Sequence, residues 1–143
     1  MIATLRIIAA VVVAHPAMAV GITLVQETWF GGVGFHESSK PELAIAGLLT
    51  FLCAAAAGAI AAAIAGSRGR VAATIMSVLI IAESTWLITS GRASGPLWFD
   101  VLAASSLIVG ILGGAEAVMR WRRGSLGDSE AGSDAGGDPA HAE

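Results

Sequence analysis

Residues 43–90 read LAIAGLLTFLCAAAAGAIAAAIAG-SRGR-VAATIMSVLIIAESTWLITS: two apolar runs, Leu43–Gly66 and Val71–Ser90, parted only by Ser67-Arg68-Gly69-Arg70. Each run has about 20 residues or more, the length a helix rising 1.5 Å per residue needs to cross roughly 30 Å of hydrocarbon. A link this short leaves two helices no choice but to fold back as an antiparallel hairpin. Similar runs flank the pair, from Ala3 to Val25 and from Leu97 to Met119. The sequence therefore predicts an all-α polytopic membrane protein with four transmembrane helices in an antiparallel bundle. Its membrane domain spans residues 1–123, followed by a tail at 124–143.

Composition agrees. Hydrophobic residues make up 55% of the 143-residue chain and charged residues 13%, against about 25% charged in soluble domains. The net charge of −3 conceals segregation. No basic stripe follows a nucleic-acid backbone, so nucleic acid is not an expected partner. Cys53, the single cysteine, lies within the second run, which excludes an internal disulfide, a CxxC redox pair and a cysteine-based zinc site. Its expected role is packing. Beyond Arg123 the chain is rich in Gly, Ala, Ser and Asp with almost no large apolar residue. A disordered acidic cytoplasmic tail is expected there.

Charges near span ends set the expected orientation. With the N-terminus inside, Arg6, Arg68, Arg70, Arg120, Arg122 and Arg123 lie on the cytoplasmic side and only Lys40 and Arg92 outside, so both termini are expected in the cytoplasm. Trp29, Phe30, Phe35, Trp86, Trp98 and Phe99 then mark the outer boundary and Trp121 the inner one. The cluster at Arg120–Arg123, with Arg68 and Arg70, fixes topology and can meet anionic lipid headgroups. A bacterial plasma membrane is the expected location, from the Ala/Gly-rich composition. The start has a rival reading as a cleaved signal peptide, with Arg6, the run Ile7–Ala14, Pro16 and Ala17-Met18-Ala19 in sequence. Continuation of the apolar run to Val25 favours a retained helix.

Local signals refine the bundle. Ser39-Lys40-Pro41-Glu42 reads as a capping box opening the second span, and Pro96 suits the first turn of the fourth. Gly31, Gly32 and Gly34 loosen the first long loop. Ala54, Gly58, Ala62 and Gly66 recur every four residues on span two, and Ser106, Gly110 and Gly114 on span four. Such small-residue stripes let backbones approach closely, either inside one bundle or between copies in a homo-oligomer.

Ionisable residues inside the spans are the candidates for chemistry. His15 lies about 16 Å along its helix from Thr4, and Glu83 about 18 Å along its own from Val71, so the two are expected at similar depth. A His–carboxylate pair can hold and pass a proton, because imidazole changes charge near neutral pH. Pro16 frees the Val12 carbonyl beside His15. The plainer expectation is that each is satisfied separately, by a carbonyl or by Thr50, Thr74 or Ser77. Asp100 is expected to pair with Arg92 at the interface, or else to form an outer vestibule with Glu83. Glu116 is expected to pair with Arg120, four residues on.

The stretch Gly95-Pro96-Leu97-Trp98-Phe99-Asp100, followed by the glycine-rich segment Gly110–Gly114, resembles a group of uncharacterised small four-span bacterial membrane proteins. The resemblance implies the fold class and no activity. Small multidrug exporters also have four spans, but their essential carboxylate lies in the first, where this chain has His15. No P-loop, GxGxxG, HExxH or GxSxG is present, so no cofactor, metal or catalytic role is expected. The expected function is that of a non-enzymatic accessory or interaction protein in contact with the lipid bilayer and a membrane-protein partner. The alternative is a small proton-linked transporter or channel subunit using His15 and Glu83.

Overall fold

The computed structural model describes residues 2–32, 38–93 and 95–134, and all regular structure among them is helical. Helix α1 covers Ile2–Thr23 and continues through a π-helical stretch, Leu24–Trp29; α2 covers Lys40–Ala65, a 3₁₀ turn Gly66–Arg68, α3 Gly69–Thr89 and α4 Leu97–Asp134. Three apolar helical stretches are long enough to cross a membrane: Ile2–Trp29, Lys40–Thr89 and Leu97–Ser125. The middle one, 50 residues long, is α2 and α3 joined through the 3₁₀ turn.

The ends of α2 follow from its sequence. At its start the Ser39 amide donates to Glu42 Oε2 at 2.7 Å, and the Glu42 amide donates to Ser39 Oγ at 3.4 Å. This reciprocal box satisfies amides that have no carbonyl a turn earlier. At the other end Gly66 adopts φ 64°, a conformation a side chain resists, and α3 begins three residues later. Contacts give the directions. Gly21 of α1 lies against Cys53 while Arg6 reaches Gly66, so α1 and α2 run antiparallel. Arg122 of α4 donates to the Ala63 carbonyl of α2, while Phe99 and Leu43 share a cleft at the opposite end, so α2 and α4 run parallel. Arg70 meets Glu116 and Leu87 lies near Phe99, which makes α3 antiparallel to α4 and hence to α2.

Alanine makes up most of the interior, with Met18, Met76, Ile80 and Ile111 the larger side chains among the buried residues. Ala10, Ala14, Ala54, Ala61, Ala62, Ala72 and Ala73 are completely buried, whereas Leu5, Val12, Leu48, Val78, Leu102 and Val109 are more than half exposed. Burying one such aliphatic side chain from water stabilises by about 1.5–3 kcal/mol, so this distribution is the reverse of what water selects. It suits a solvent as apolar as leucine itself, in which helices associate through close van der Waals contact.

The most extensive helix contact is between α2 and α4, and glycine makes it possible. A Cβ on Gly58 would run into the Ile111 carbonyl, and one on Gly114 into the Ala55 carbonyl. Gly110 faces Ala54 Cβ and the Phe51 carbonyl, each 3.0 Å from where its Cβ would stand. Ala54, opposite Gly110, is completely buried in the same seam, while Ala62, also completely buried, meets Gly69 of α3.

Two boundaries differ from the sequence reading. The first helical stretch runs past Val25 to Trp29. It ends where Gly31 and Gly32 take φ of 63° and 99°, conformations that glycine adopts without strain. Helix α4 does not stop at Met119 but reaches Asp134, so residues 124–134 are helical where a disordered tail was expected. Adding residues to a helix already nucleated costs far less than starting one, and this extension holds although Gly124, Gly127 and Gly132 are poor helix formers. Residues 135–143 of that tail, and Gly34, Phe35 and His36 of the first loop, lie outside the described residues.

Gly58→Ala and Gly114→Ala should each destabilise the fold by about 1–3 kcal/mol, the usual range for forcing a methyl group into a packed contact. Gly113→Ala, whose Cβ would meet nothing within 4 Å, should leave stability unchanged or raise it. Thermal unfolding in detergent, followed by tryptophan fluorescence, checks all three.

Candidate functional site

His15 stands on α1 immediately before Pro16, the proline inside that helix. A proline nitrogen cannot donate, so the Val12 carbonyl loses its partner and the helix is locally loosened at this level. Glu83 stands on α3, which runs alongside α1. The structure brings the two together: His15 Nε2 lies 2.9 Å from Glu83 Oε1. Their similar rise from the same end of the bundle permits contact across 68 residues of sequence.

The pair is asymmetric. The His15 side chain is 21% exposed and Glu83 56%, so the imidazole is tucked between helices while the carboxylate lies on the outer face. Nδ1 of His15 is buried and has no hydrogen-bond partner. With the ring proton on Nε2, the imidazole donates to the carboxylate and leaves only a lone pair unmet at Nδ1. The opposite tautomer would bury an unpaired N–H, a costlier arrangement.

Of the three hydroxyls expected to satisfy these groups separately, two are engaged elsewhere. Ser77 Oγ donates to the Ala73 carbonyl at 2.9 Å and Thr74 Oγ1 to the Arg70 carbonyl at 2.9 Å, the back-bonding habit of hydroxyls on helices. Thr50 Oγ1 is buried without a partner and lines a cleft of about 430 Å³ between α2 and α4 with Gln26 and Ser106. A smaller cleft of about 200 Å³ separates α1 from α2 near Met18, Gly21 and Cys53. His15 and Glu83 line neither of these, nor the clefts between α3 and α4. Among the described residues no cluster of three His, Cys, Asp or Glu side chains could hold a metal ion.

A second polar cluster closes the end of the bundle bearing the 3₁₀ turn. Glu116 of α4 accepts from Arg70 of α3 through Nε at 3.1 Å and Nη2 at 3.0 Å, and from Arg120 Nε at 3.2 Å. The contact with Arg120 is the helical i,i+4 pair legible in sequence. Arg70, 46 residues away, was not, because only the fold-back of α3 onto α4 puts it there. Arg122 caps this corner by donating to the Ala63 carbonyl at 3.1 Å.

At the opposite end, Asp100 and Arg92 do not form the expected ion pair. Arg92 instead places its guanidinium 4.9 Å from the centre of the Trp86 ring. The cause is local: the Arg92 and Ala93 amides both donate to the Leu87 carbonyl, at 3.1 and 3.3 Å, folding the chain back over the last turn of α3. Nor does Asp100 join Glu83, which is engaged with His15. Arg92 and Asp100 share the rim of one cleft without bonding to each other.

Glu116→Gln should lower the melting temperature in detergent more than Arg120→Gln, because the first removes the acceptor for both arginines and the second leaves the two-nitrogen contact from Arg70 intact. Raising the salt concentration should narrow the difference, since these groups lie at an exposed end. Comparison of the chain with family models, with curated proteins and with solved structures gave no match.

Proposed function

We propose that α1–α4 all cross the bilayer of a bacterial plasma membrane with both termini in the cytoplasm, and that the protein acts there without catalysis, as an accessory that binds another membrane segment. Large aliphatic side chains outside and alanine inside support insertion. Orientation is supported by arginine: Arg6, Arg68, Arg70, Arg120, Arg122 and Arg123 belong to the end bearing the 3₁₀ turn, Lys40 and Arg92 to the other.

The observation that carries the interaction reading is the exposure of Glu83. A carboxyl group on the outer face of a bundle, near mid-depth and more than half exposed, costs several kcal/mol in hydrocarbon by roughly any scale. His15 supplies one hydrogen bond; the remaining acceptor sites face outward. A neighbouring membrane helix carrying a hydrogen-bond donor relieves that cost. The partner is such a helix, on another protein or on a second copy of this chain.

The 2.9 Å contact also favours a second reading, a proton-linked transporter or channel subunit in which imidazole and carboxylate exchange a proton. We rank it second, because the exposure of the Glu83 carboxylate favours contact with a neighbouring helix.

A photo-crosslinking residue at Leu79, one turn from Glu83 and 37% exposed, tests the interaction. In intact membranes it should give an adduct of defined mass, and Glu83→Leu should remove that adduct. An adduct indifferent to the substitution, or labelling of lipid alone, would overturn the reading. In liposomes the purified protein should show no proton flux at any pH. Flux abolished by both His15→Ala and Glu83→Gln would replace interaction with transport.

A further inference from the structure

The cleft between the Trp86 end of α3 and the start of α4, of about 290 Å³, is not used by the His15–Glu83 pair. Arg92 and Asp100 stand on its rim, and Leu87, Ile88, Ala103 and Leu107 line its apolar part. Among the described residues neither charged side chain has an ion pair or a hydrogen bond; the one contact of Arg92 is the Trp86 ring. That contact places the cation where an indole sits well at a membrane interface. A cation and a carboxylate thus flank one opening, both without a counter-charge, above a groove that runs toward the middle of the bundle.

These features specify a ligand with both charges at one end and an apolar body. An anionic headgroup satisfies Arg92 but is repelled by Asp100. An uncharged amphiphile leaves both groups unmet. A free zwitterion matches the rim but leaves Leu87, Ile88 and Leu107 uncovered. We propose that this cleft binds one zwitterionic phospholipid with a primary ammonium headgroup, its phosphate on Arg92, its ammonium on Asp100 and one acyl chain along the α3–α4 seam. A primary ammonium is chosen over a quaternary one because it donates hydrogen bonds to the carboxylate.

The proposal rests on the membrane reading above, so the two are tested separately. Alkaline extraction of membranes holding the full-length chain comes first: release into the soluble fraction would overturn insertion itself. With the chain retained, native mass spectrometry of the detergent-solubilised protein with equal amounts of dioleoyl phosphatidylethanolamine, phosphatidylglycerol and phosphatidylcholine reads the site. The wild type should retain one phosphatidylethanolamine in preference to either competitor by roughly tenfold, the selectivity of about one good charge-assisted contact. Arg92→Gln and Asp100→Asn should each abolish the preference, whereas Arg123→Gln at the other end should not. Unchanged melting temperatures show that the variants fold. Equal retention of the three lipids, a preference that survives both rim substitutions, or displacement by free phosphoethanolamine at lipid-like concentrations would overturn the proposal.

Discussion

Backbone-to-backbone contact between α2 and α4 at Gly58 and Gly114 sets the distances on which the other contacts of this molecule depend. At both positions the opposing carbonyl, of Ile111 and of Ala55, occupies the space where a side chain would begin. Contact this close gains dispersion over a whole seam, each atom pair contributing only about 0.1–0.2 kcal/mol. Pulling α2 onto α4 in parallel leaves α1 and α3 to fill the flanks, antiparallel to α2 and parallel to each other. That arrangement carries His15 and Glu83 to the same level on neighbouring helices.

Polar groups then fall at three levels, and each level uses charge differently. At the end bearing the 3₁₀ turn, Glu116 is held by two arginines from two helices, a clasp between α3 and α4 beside the turn that folds α3 back. Near mid-depth the single pair is half covered, its imidazole inside and its carboxylate outside. At the Trp86 end, Arg92 and Asp100 share a cleft without meeting. The first level satisfies itself. At the second, Glu83 keeps more than half of its side chain exposed, and at the third neither charge has an ion pair among the described residues.

Several features were legible before any coordinates. The box at Ser39 and Glu42 is local, since both partners lie within one turn and only their identities matter. Pro16 inside α1 and the pair Glu116–Arg120 are local for the same reason. The expected Arg92–Asp100 pair failed because nearness in sequence says nothing about a reversing chain: two amide bonds to the Leu87 carbonyl turn Arg92 toward Trp86 instead. The end of α4 was misplaced because composition reports what a segment can bury on its own. It does not register that a helix already nucleated by a span extends cheaply.

The sequence by itself determined that the chain is helical, where its apolar stretches lie, that α2 and α3 must fold back through Ser67–Arg70, and which stripes are small enough for close packing. Each of these depends on residue type and spacing along one helix or one short link. The tertiary structure alone decided that α2 pairs most extensively with α4, that Arg70 reaches Glu116, and that His15 and Glu83 touch with the carboxylate outward. Those outcomes depend on how each helix is rotated about its own axis. In a chain whose helices are apolar all round, no amphipathic face announces that rotation; only the fit of glycine and alanine against opposing backbone selects it.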